Sequence, residues 1–430
     1  MSARIPASWV ESTFSELNQF ESSTIDPAQF PEESFELYSV PSFPTGKPEL
    51  LKGTAIGSTK QTVEPNDVLV CKINPRINRV WQVDVAKQYR QIASSEWIGF
   101  RSDVLHTKFY RHYFTSSDFR ELICTDVTGV GGSLTRAQPK KVATFPVPVA
   151  PRNEQKRIAD KLDAVLARVD ACHDRLDRVP SILKCFRQSV LAAATSGKLT
   201  EEWREEANAV SWQQTDVQSV AHVGTGSTPL RSNSTFFAPT GTPWVTSAAT
   251  SQTLVTDAGE FVTQAAITAH RLKTYPIGTL LVAMYGEGKT RGQVTELCIP
   301  ATINQACAAI VVNEEKVLKS YVKLALQANY FEMRELAKGG NQPNLNLSKI
   351  KEFPLSLPGI TEQAEIVRRV EALFAYADRL EARYAAARAQ VEKLTPATLA
   401  KAFRGELVPQ DPDDEPASVL LERIKAHRGE

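Results

Sequence analysis

The stretch FPVPVAPRNEQKRIADKLDAVLARVD at residues 145–170 returns at residues 353–378 as FPLSLPGITEQAEIVRRVEALFAYAD. The two stretches align without a gap at an offset of 208 residues, and the alignment extends over 145–199 and 353–407. Solenoid repeats have periods of only about 20–50 residues. The sequence therefore indicates a duplicated domain, in the order domain, helix, domain, helix.

Each copy predicts one long helix. Asn153 and Thr361 are suitable N-cap residues, and Gly197 and Gly405 suit the left-handed position after a helix end. Apolar residues recur at alternating spacings of 4 and 3, a heptad seam that requires a partner helix. The predicted packing residues are Ile158, Leu162, Val165, Val169, Leu176 and Leu183 in the first copy, and Ile366, Val370, Leu373, Leu380, Val391 and Leu394 in the second.

The two helices are expected to pair antiparallel. Each is about 65 Å long at 1.5 Å per residue, and a parallel pair would require the intervening domain to carry the chain back over that distance. An antiparallel pair needs no such return. Pro180 and Pro396 interrupt the pattern and are expected to kink or split the helices. The alternative is two unrelated amphipathic helices, each buried in its own domain.

The predicted fold class is α+β, with two mixed α/β domains and a pseudo-twofold internal repeat. Short β-branched runs bounded by turn residues predict strands in both domains. The expected boundaries are 1–143 for the first domain, 144–199 for the first long helix, 200–350 for the second domain, 351–408 for the second long helix, and 409–430 for an acidic linker with a terminal helix.

The composition limits the class of protein. The chain has 430 residues, with 50 Lys and Arg against 49 Asp and Glu, so a nucleic-acid partner would have to contact local basic surfaces. No apolar run is long enough to span a membrane and no secretory signal is visible, which favours a cytoplasmic protein without a membrane partner. The six cysteines form no C-x-x-C pair, so neither a zinc site nor a disulfide framework is expected.

No motif predicts catalysis by this chain. One alternative is a nucleotide-binding enzyme, because residues 283–290 (AMYGEGKT) fit a loose form of the phosphate-binding loop. That loop requires a helix after it, whose N-terminus holds the phosphate. Residues 291–294 show no helical periodicity, so a Gly-rich hairpin carrying Lys289 and Arg291 is favoured.

Several polar loops have the chemistry to contact DNA. Arginine and lysine pair with guanine and phosphate, and asparagine pairs with adenine. The Gly-Gly loops at 131–132 and 339–340 occupy matching places in the two copies. The candidate DNA-binding residues are Lys72, Asn74, Arg76, Asn78, Arg79, Ser133, Thr135, Arg136, Thr225, Ser227, Thr228, Arg231, Tyr285, Lys289, Arg291, Asn341, Gln342 and Asn344.

The chain resembles the specificity subunits of type I restriction-modification enzymes. The resemblance is carried by the duplicated stretch at 145–170, the GKLTEEWR that ends the first copy at 197–204, and FPLSLPGITEQAEIVRRVEALFAYADRL at 353–380. It extends to GTGSTP at 224–229 and LLVAMYGEGKTRGQV at 280–294. It implies two target recognition domains separated by a pair of long antiparallel coiled-coil helices.

The resemblance also implies the partners. Each domain would read one half of a split site in double-stranded DNA, and the helices would dock two modification subunits, which methylate adenine at N6 with S-adenosylmethionine. Restriction subunits would add translocation and cleavage with ATP and magnesium. The chain itself would be non-catalytic and carry no cofactor. A scaffold without a nucleic-acid partner, and a methylation-only system without a restriction subunit, remain as further alternatives.

Overall fold

The computed structural model describes residues 5–85, 88–125, 127–128, 135–286, 289–337 and 344–428. The chain divides into two compact units, one made of Met1–Asp177 with Ala386–Glu430 and the other of Arg178–Ala385. The first unit is therefore discontinuous in sequence, whereas the second is a single run. Both units combine strands and helices, which confirms the predicted α+β class.

The first unit contains short strands in small sheets. They are β1 (Val10–Thr13), β2 (Thr24–Ile25), β3 (Ser34–Tyr38), β4 (Glu49–Lys52), β5 (Lys60–Thr62), β6 (Val68–Cys71), β7 (Val80–Gln82), β8 (Arg90–Ala93), β9 (Trp97–Phe100), β10 (Val127–Thr128), β11 (Arg136–Ala137) and β12 (Pro146–Val149). One sheet has the order β2-β5-β8-β3-β4, and an antiparallel sheet has the order β7-β6-β9. Strand β1 pairs with β12, and β10 pairs with β11.

The helices before the first long helix enclose an aromatic core. They are α1 (Phe14–Leu17), α2 (Thr107–Thr115), α3 (Ser117–Cys124) and α4 (Pro139–Val142). Phe14, Phe109, Phe114 and Phe119 are buried there with apolar residues of β6 and β12. The core thus supports strand β6, whose end leads into one of the candidate DNA-binding loops.

The second unit is also built from short strands in small sheets. Its strands are β13 (Gln213–Asp216), β14 (Ala221–Thr225), β15 (Phe237–Ala238), β16 (Thr242–Val245), β17 (Leu254–Val255), β18 (Phe261–Val262), β19 (Leu280–Ala283), β20 (Val294–Leu297), β21 (Thr302–Ile303), β22 (Cys307–Val312) and β23 (Pro354–Leu357). The strand orders are β14-β22-β19-β20-β17, β15-β18-β16-β21 and β13-β23. The run β20-β19-β22 is antiparallel throughout, like β7-β6-β9.

The remaining helices complete the chain. The first long segment is divided into α5 (Arg152–Leu176) and α6 (Val179–Thr195), followed by α7 (Glu201–Glu206), α8 (Val217–Val220), α9 (Gln264–His270), α10 (Lys319–Ala328), α11 (Tyr330–Leu336), α12 (Leu347–Lys351), α13 (Ile360–Phe403) and α14 (Ala417–Arg428). The first copy is thus not one helix but two, with the break next to Pro180. The second copy is one helix with Pro396 inside it.

The internal repeat is visible in matched contacts. Strand β12 opposite β1 and strand β23 opposite β13 begin at Pro146 and Pro354, which are 208 residues apart. Just inside each long helix, a buried glutamine holds the preceding turn. Gln155 Nε2 donates to Ala150 O at 2.8 Å, and Gln363 Nε2 donates to Pro358 O at 2.8 Å.

The helix ends agree with the prediction better than the helix starts. Gly405 has φ +72°, and the Gly405 and Glu406 amides donate to Ala402 O and Lys401 O, which is a Schellman ending. Gly197 is also left-handed, with φ +79°. The predicted N-caps are wrong by a residue or two, because α5 begins at Arg152 and α13 at Ile360.

The long helices pack antiparallel within each unit. In the first unit the start of α5 shares a core with the end of α13, including Ile158 and Phe403. In the second unit the end of α6 shares a core with the start of α13, including Val190 and Ile366. Six predicted seam residues are buried, namely Ile158, Leu162, Val169, Leu183, Ile366 and Val370.

The other seam residues are less enclosed. Val165, Leu176, Leu373, Leu380 and Val391 are partly buried. Leu394 is 45 % exposed, whereas Leu399, Ala402 and Phe403 are buried near the end of α13. The acidic tail is folded against the first unit, where Asp414 pairs with Arg157 at 2.6 Å.

Candidate nucleic-acid interface

The loop between β6 and β7 forms the first candidate surface. A single 3-10 turn, Pro75–Ile77, is flanked by Asn74 and Asn78, whose φ values are +48° and +51°. Asparagine tolerates this left-handed conformation better than most residues because its short polar side chain can bond locally. The sequence Asn-Pro-Arg-Ile-Asn therefore forms a compact projection at the end of the sheet.

A second segment closes this projection from the side. The Asn74 amide donates to Thr135 O at 2.7 Å, and the Thr135 amide donates to Asn74 Oδ1 at 3.2 Å. The Ala137 amide donates to Lys72 O at 2.8 Å. Residues 72–79 and 135–137 thus form one continuous surface, which we name the first hairpin surface.

Several side chains of the first hairpin surface that were predicted to contact DNA form hydrogen bonds or ion pairs within the protein. Asn78 Nδ2 donates to Thr115 O at 2.9 Å, and Arg79 donates to Ile73 O at 3.5 Å. Arg136 pairs with Glu96 at 3.0 Å. These groups fix the loop and have less freedom to contact a base.

Two cations of the first hairpin surface remain without such contacts. Lys72 and Arg76 form no ion pair or side-chain hydrogen bond with any residue that the structure describes. Arg76 is exposed, and its neighbour Ile77 is 52 % exposed. Ser133 lies outside the described residues. The surface therefore offers, on a fixed backbone, two positive charges that no described residue pairs with.

The hairpin between β19 and β20 forms the corresponding surface of the second unit. The Leu345 amide donates to Met284 O at 3.1 Å. This bond matches the one from Ala137 to Lys72, since Leu345 and Ala137 are 208 residues apart. We name residues 284–286, 289–293 and 344–345 the second hairpin surface.

Helix α11 supports the second hairpin surface. Tyr330 Oη donates to Lys289 O at 2.7 Å, and Arg334 donates to Arg291 O at 3.0 Å. The guanidinium of Arg334 also lies 5.4 Å from the centre of the Tyr330 ring. The sequence reasoning missed both residues, although an aromatic residue and an arginine at helical i,i+4 spacing are a pair that meets on one helix face.

The predicted residues of this surface differ in their freedom. Tyr285 is 37 % exposed, and Lys289 is exposed without an ion pair to any described residue. Arg291 is half-buried and donates to Gly286 O at 3.4 Å. Asn344 is half-buried next to Leu345, whereas Asn341 and Gln342 lie outside the described residues.

The nucleotide-binding alternative is wrong. Residues 284–293 connect two antiparallel strands, and a turn at 291–292 leads directly into β20. A phosphate-binding loop needs a helix N-terminus at that place, and the described residues 289–297 contain no helix. The favoured interpretation, a Gly-rich hairpin, is confirmed.

The polar segment at 225–231 is packed into the second unit. Thr225 Oγ1 donates to Cys307 O at 2.8 Å, and the Ser227 amide donates to Ile303 O at 3.1 Å. Gly226 lies so close to Ile303 O that a Cβ would be only 1.6 Å away. Thr228 bonds to Gln305. The segment is therefore held by hydrogen bonds to Ile303, Gln305 and Cys307.

Arg231 is neutralised in the same region. Its guanidinium makes a bidentate pair with Glu260 at 2.5 and 2.9 Å and lies over the rings of Phe237 and Trp244. The hydrogen bond from Arg231 lowers the pKa of Glu260, so the pair stays charged on both sides at neutral pH. Thr225 and Arg231 thus have structural partners that a DNA contact would have to displace.

The described residues hold no cluster of three metal-ligating side chains. In the parts of the chain that the structure describes, every helix is too short or too polar to cross a bilayer. Burial and the neighbouring charge of Arg111 lower the pKa of His112 to about 4, although Asp163 opposes the shift. This histidine belongs to α2, and its Nε2 lies 2.8 Å from Asp163 of α5.

Comparison with known proteins gives a consistent result. Residues 209–387 match the family described as the type I restriction modification DNA specificity domain. The StySPI specificity subunit of Salmonella potsdam is 30 % identical over 346 residues, covering 74 % of this chain and 71 % of that protein. The EcoKI specificity subunit of Escherichia coli K12 is 31 % identical over 353 residues, covering 76 % and 72 %.

Solved structures share the fold. The HsdS subunit from Thermoanaerobacter tengcongensis superposes with a TM-score of 0.68 at 18 % identity, over 94 % of this chain and 99 % of that one. A chain from the structural study of complex assembly and conformational transition in the type I R-M system superposes with a TM-score of 0.74 at 19 % identity, over 94 % and 100 %.

Proposed function

Because this chain belongs to the specificity subunits of type I restriction enzymes, we propose that each of its two hairpin surfaces reads one half of a split DNA site. The chain is a DNA sequence-recognition subunit that works within a complex and is itself non-catalytic. The observation that supports the proposal is the duplicated hairpin surface, which in both units lies at the end of an antiparallel run of three strands and presents cations that form no ion pair with any described residue.

The geometry of the hairpins suits DNA recognition. A projection of two strands and a tight turn can enter the major groove, where base edges carry a distinct pattern of donors and acceptors. Arg76 and Lys289 are the exposed cations at the two projections. A fixed backbone reduces the ordering cost of binding, and the hydrogen bonds of Asn74 and Arg334 provide that fixation.

The partners follow from the family. We propose that two modification subunits dock on the long helices and use S-adenosylmethionine to methylate adenine, and that restriction subunits add ATP- and magnesium-dependent cleavage. Ile182 on α6 and Tyr376 on α13 are 61 % and 51 % exposed, which is unusual for large apolar residues and is compatible with a docking surface. A cytoplasmic location is part of the proposal, since such a complex acts on cellular DNA.

The proposed recognition domains keep the boundaries expected from the sequence. Residues 1–143 would read the first half-site and 200–350 the second, with 144–199 and 351–408 as helical spacers. Residues 409–430 would complete the first unit. The isolated chain, with almost no net charge, is expected to bind DNA weakly and with strong salt dependence, and the complex more tightly.

The decisive experiment maps methylation in cells. The chain is co-expressed with its cognate modification subunit in a host free of N6-methyladenine, and methylated adenines are located across the genome. The expected result is a split motif with two specific halves and a fixed gap. Replacing residues 200–350 with the corresponding domain of another specificity subunit should change one half only.

Two outcomes would overturn the proposal. A single continuous motif would mean that only one unit reads DNA. An unchanged motif after the exchange, with an intact complex, would favour a scaffold that does not contact DNA specifically. Co-purification of the modification subunit with the chimera is the control for assembly.

A further inference from the structure

A large cleft opens in the second unit beside the hairpin. It has a volume of about 810 Å³ and is bounded by α6, the second hairpin surface, α11 and residues 250–253. A space of this size is comparable with that of ligand-binding clefts in proteins. All its lining residues belong to 178–385, so the cleft is a feature of one compact unit.

The charges in the cleft have one sign. Lys184 of α6, Lys289 of the hairpin and Arg334 of α11 line it from three sides. Among the described residues that line it, none is Asp or Glu. Lys184 and Lys289 are exposed and form no ion pair with any described residue. The described lining of the cleft is therefore cationic and contains no carboxylate, and such sites attract anions.

The rest of the lining is apolar and amide-rich. Phe331 is 61 % exposed in the cleft and lies 5.2 Å from the Tyr330 ring, and the side of α6 adds Leu191. Gln188 and Gln293 contribute amide groups. A sugar–phosphate strand alternates an apolar deoxyribose with an anionic phosphate, so its chemistry matches both parts of the lining.

We propose that this cleft seats the sugar–phosphate backbone of one DNA strand, with Lys184 of the long helix contacting a phosphate next to the second half-site. The inference rests on the proposed function. It adds that helix α6 is itself part of the DNA contact. Continuity with the hairpin favours DNA as the occupant, because Lys289 belongs to both the cleft and the second hairpin surface.

The corresponding position of the first unit carries the opposite charge. The gapless repeat places Glu392 of α13 where α6 has Lys184, and Glu392 pairs with Arg388 at 3.2 Å. A carboxylate there would repel a phosphate. The proposed helix contact therefore belongs to the second half-site only, and the first unit has to bind its half-site without it.

The test measures DNA binding by the complex of this chain with its modification subunits. Affinity for a duplex carrying the mapped site, and for a random duplex, is measured over a range of salt concentrations. Lys184→Ala should weaken binding to both duplexes about fivefold near 0.15 M salt and reduce the slope of log K against log salt by about 0.9, the value for one phosphate contact. Lys184→Arg should restore both, and Lys184→Glu should weaken binding further.

The matched control is Lys198→Ala, which removes an exposed lysine of the same unit outside the cleft. Lys184 is exposed, so its removal is not expected to affect folding. Equal slopes for the wild type and Lys184→Ala would overturn the inference. So would a loss of modification-subunit binding without a change in slope, because the cleft would then dock a protein.

Failure of the two proposals can be told apart. If Lys184→Ala has no effect while the methylated motif is split, only the cleft assignment fails. If the wild-type complex shows no preference for any mapped site, the proposed function fails, whereas the salt slope of Lys184→Ala on the random duplex still decides whether Lys184 contacts a phosphate.

Discussion

The two units place a buried glutamate at the same point of their long helices but hold it with different donors. Glu154 accepts from Trp9 Nε1 at 2.9 Å and from the amide of Gln410. Glu362 accepts from Thr200 Oγ1 at 2.8 Å and from the guanidinium of Arg204 at 2.9 Å. The first carboxylate has neutral donors, and the second has a cation.

The two copies of the duplicated domain keep this buried carboxylate but differ in the residues that donate hydrogen bonds to it. Gln410, one of the two donors to Glu154, and both donors to Glu362 come from the segment that follows a long helix, whereas Trp9 comes from the start of the first unit. Burial raises the pKa of Glu154 because its neutral donors compensate desolvation only partly. Both units therefore place a carboxylate at this point of the long helix, but only the carboxylate of the second unit accepts a hydrogen bond from a cation.

The largest expected difference between the units is the change in stability when the proline of each long helical segment is replaced. Pro396 lies inside α13 and removes a helical hydrogen bond, whereas Pro180 lies in the first turn of α6, where no such bond is lost. Pro396→Ala should therefore raise the stability of the first unit by up to about 3 kcal/mol. Pro180→Ala should change the second unit by less than about 0.5 kcal/mol.

Hydrogen exchange under mild denaturant, read separately for peptides of each unit, checks this prediction. Equal effects of the two substitutions would show that the backbone at Pro396 is already adapted to the proline.

The second prediction concerns acid sensitivity. His112 is 4 % exposed and has Nε2 at 2.8 Å from Asp163, and its folded pKa is about 4 against an ordinary 6.5. The unfolded chain binds a proton below pH 6.5 while the folded chain does not, so stability falls as the pH drops from 6.5 towards 4. At pH 5 the loss is about 2 kcal/mol.

His112→Leu should remove that loss, because leucine has no group that titrates. Unfolding of the wild type and the variant is followed between pH 7 and 4, and the difference between the two curves isolates the histidine from other titrating groups. Parallel curves would refute the assignment.

The third prediction compares the two glutamates directly. Glu362→Gln leaves the partly buried Arg204 without its carboxylate and should cost about 2 kcal/mol. Glu154→Gln keeps an acceptor for Trp9 and should cost under about 1 kcal/mol.

The pH dependence gives a further check on Glu154. Because its folded pKa is raised above 4.5, the wild-type first unit loses stability as the pH rises through that pKa, and the glutamine variant should not. Denaturant unfolding of both variants at pH 4.5 and 7 measures these effects. A larger cost for Glu154→Gln than for Glu362→Gln would reverse the comparison.

The smallest expected effect tests whether the two hairpin surfaces are equivalent. Arg76→Ala and Lys289→Ala should each weaken DNA binding of the complex about fivefold near 0.15 M salt, if each loses one phosphate contact. Salt titrations of both variants, with their methylated motifs mapped in parallel, provide the measurement. An effect from only one of them would mean that the surfaces bind DNA differently.

The long helices could be predicted from the sequence because their signals are local and repeated. Spacings of 4 and 3 and the glycines at 197 and 405 depend only on neighbouring residues. The start of α5 was misplaced because the side chain of Asn153, predicted as its cap, has a distant partner. Asn153 bonds to Asp414 instead of capping α5, and no local pattern contains that contact.

The candidate site was predicted less well, for the same physical reason. The loops at 72–79 and 284–293 were found, together with their matching places in the repeat. The sequence could not show which of their polar side chains form hydrogen bonds or ion pairs within the protein and which have no such partner among the described residues. The partner of Asn78 is Thr115, and the partner of Arg231 is Glu260, both far along the chain. Whether the free ones contact DNA remains a prediction.

The tail that holds Glu154 has a consequence for synthesis on the ribosome. Ser8 accepts from the Ala417 amide, and Ala417, Leu420 and Ile424 fill the core of the first unit. The second unit is one continuous run, so its core can close as soon as residue 385 has emerged. Synthesis of the first unit begins earlier, but its apolar core stays exposed until residues 386–424 have been made. The first unit is therefore the more aggregation-prone half of the nascent chain.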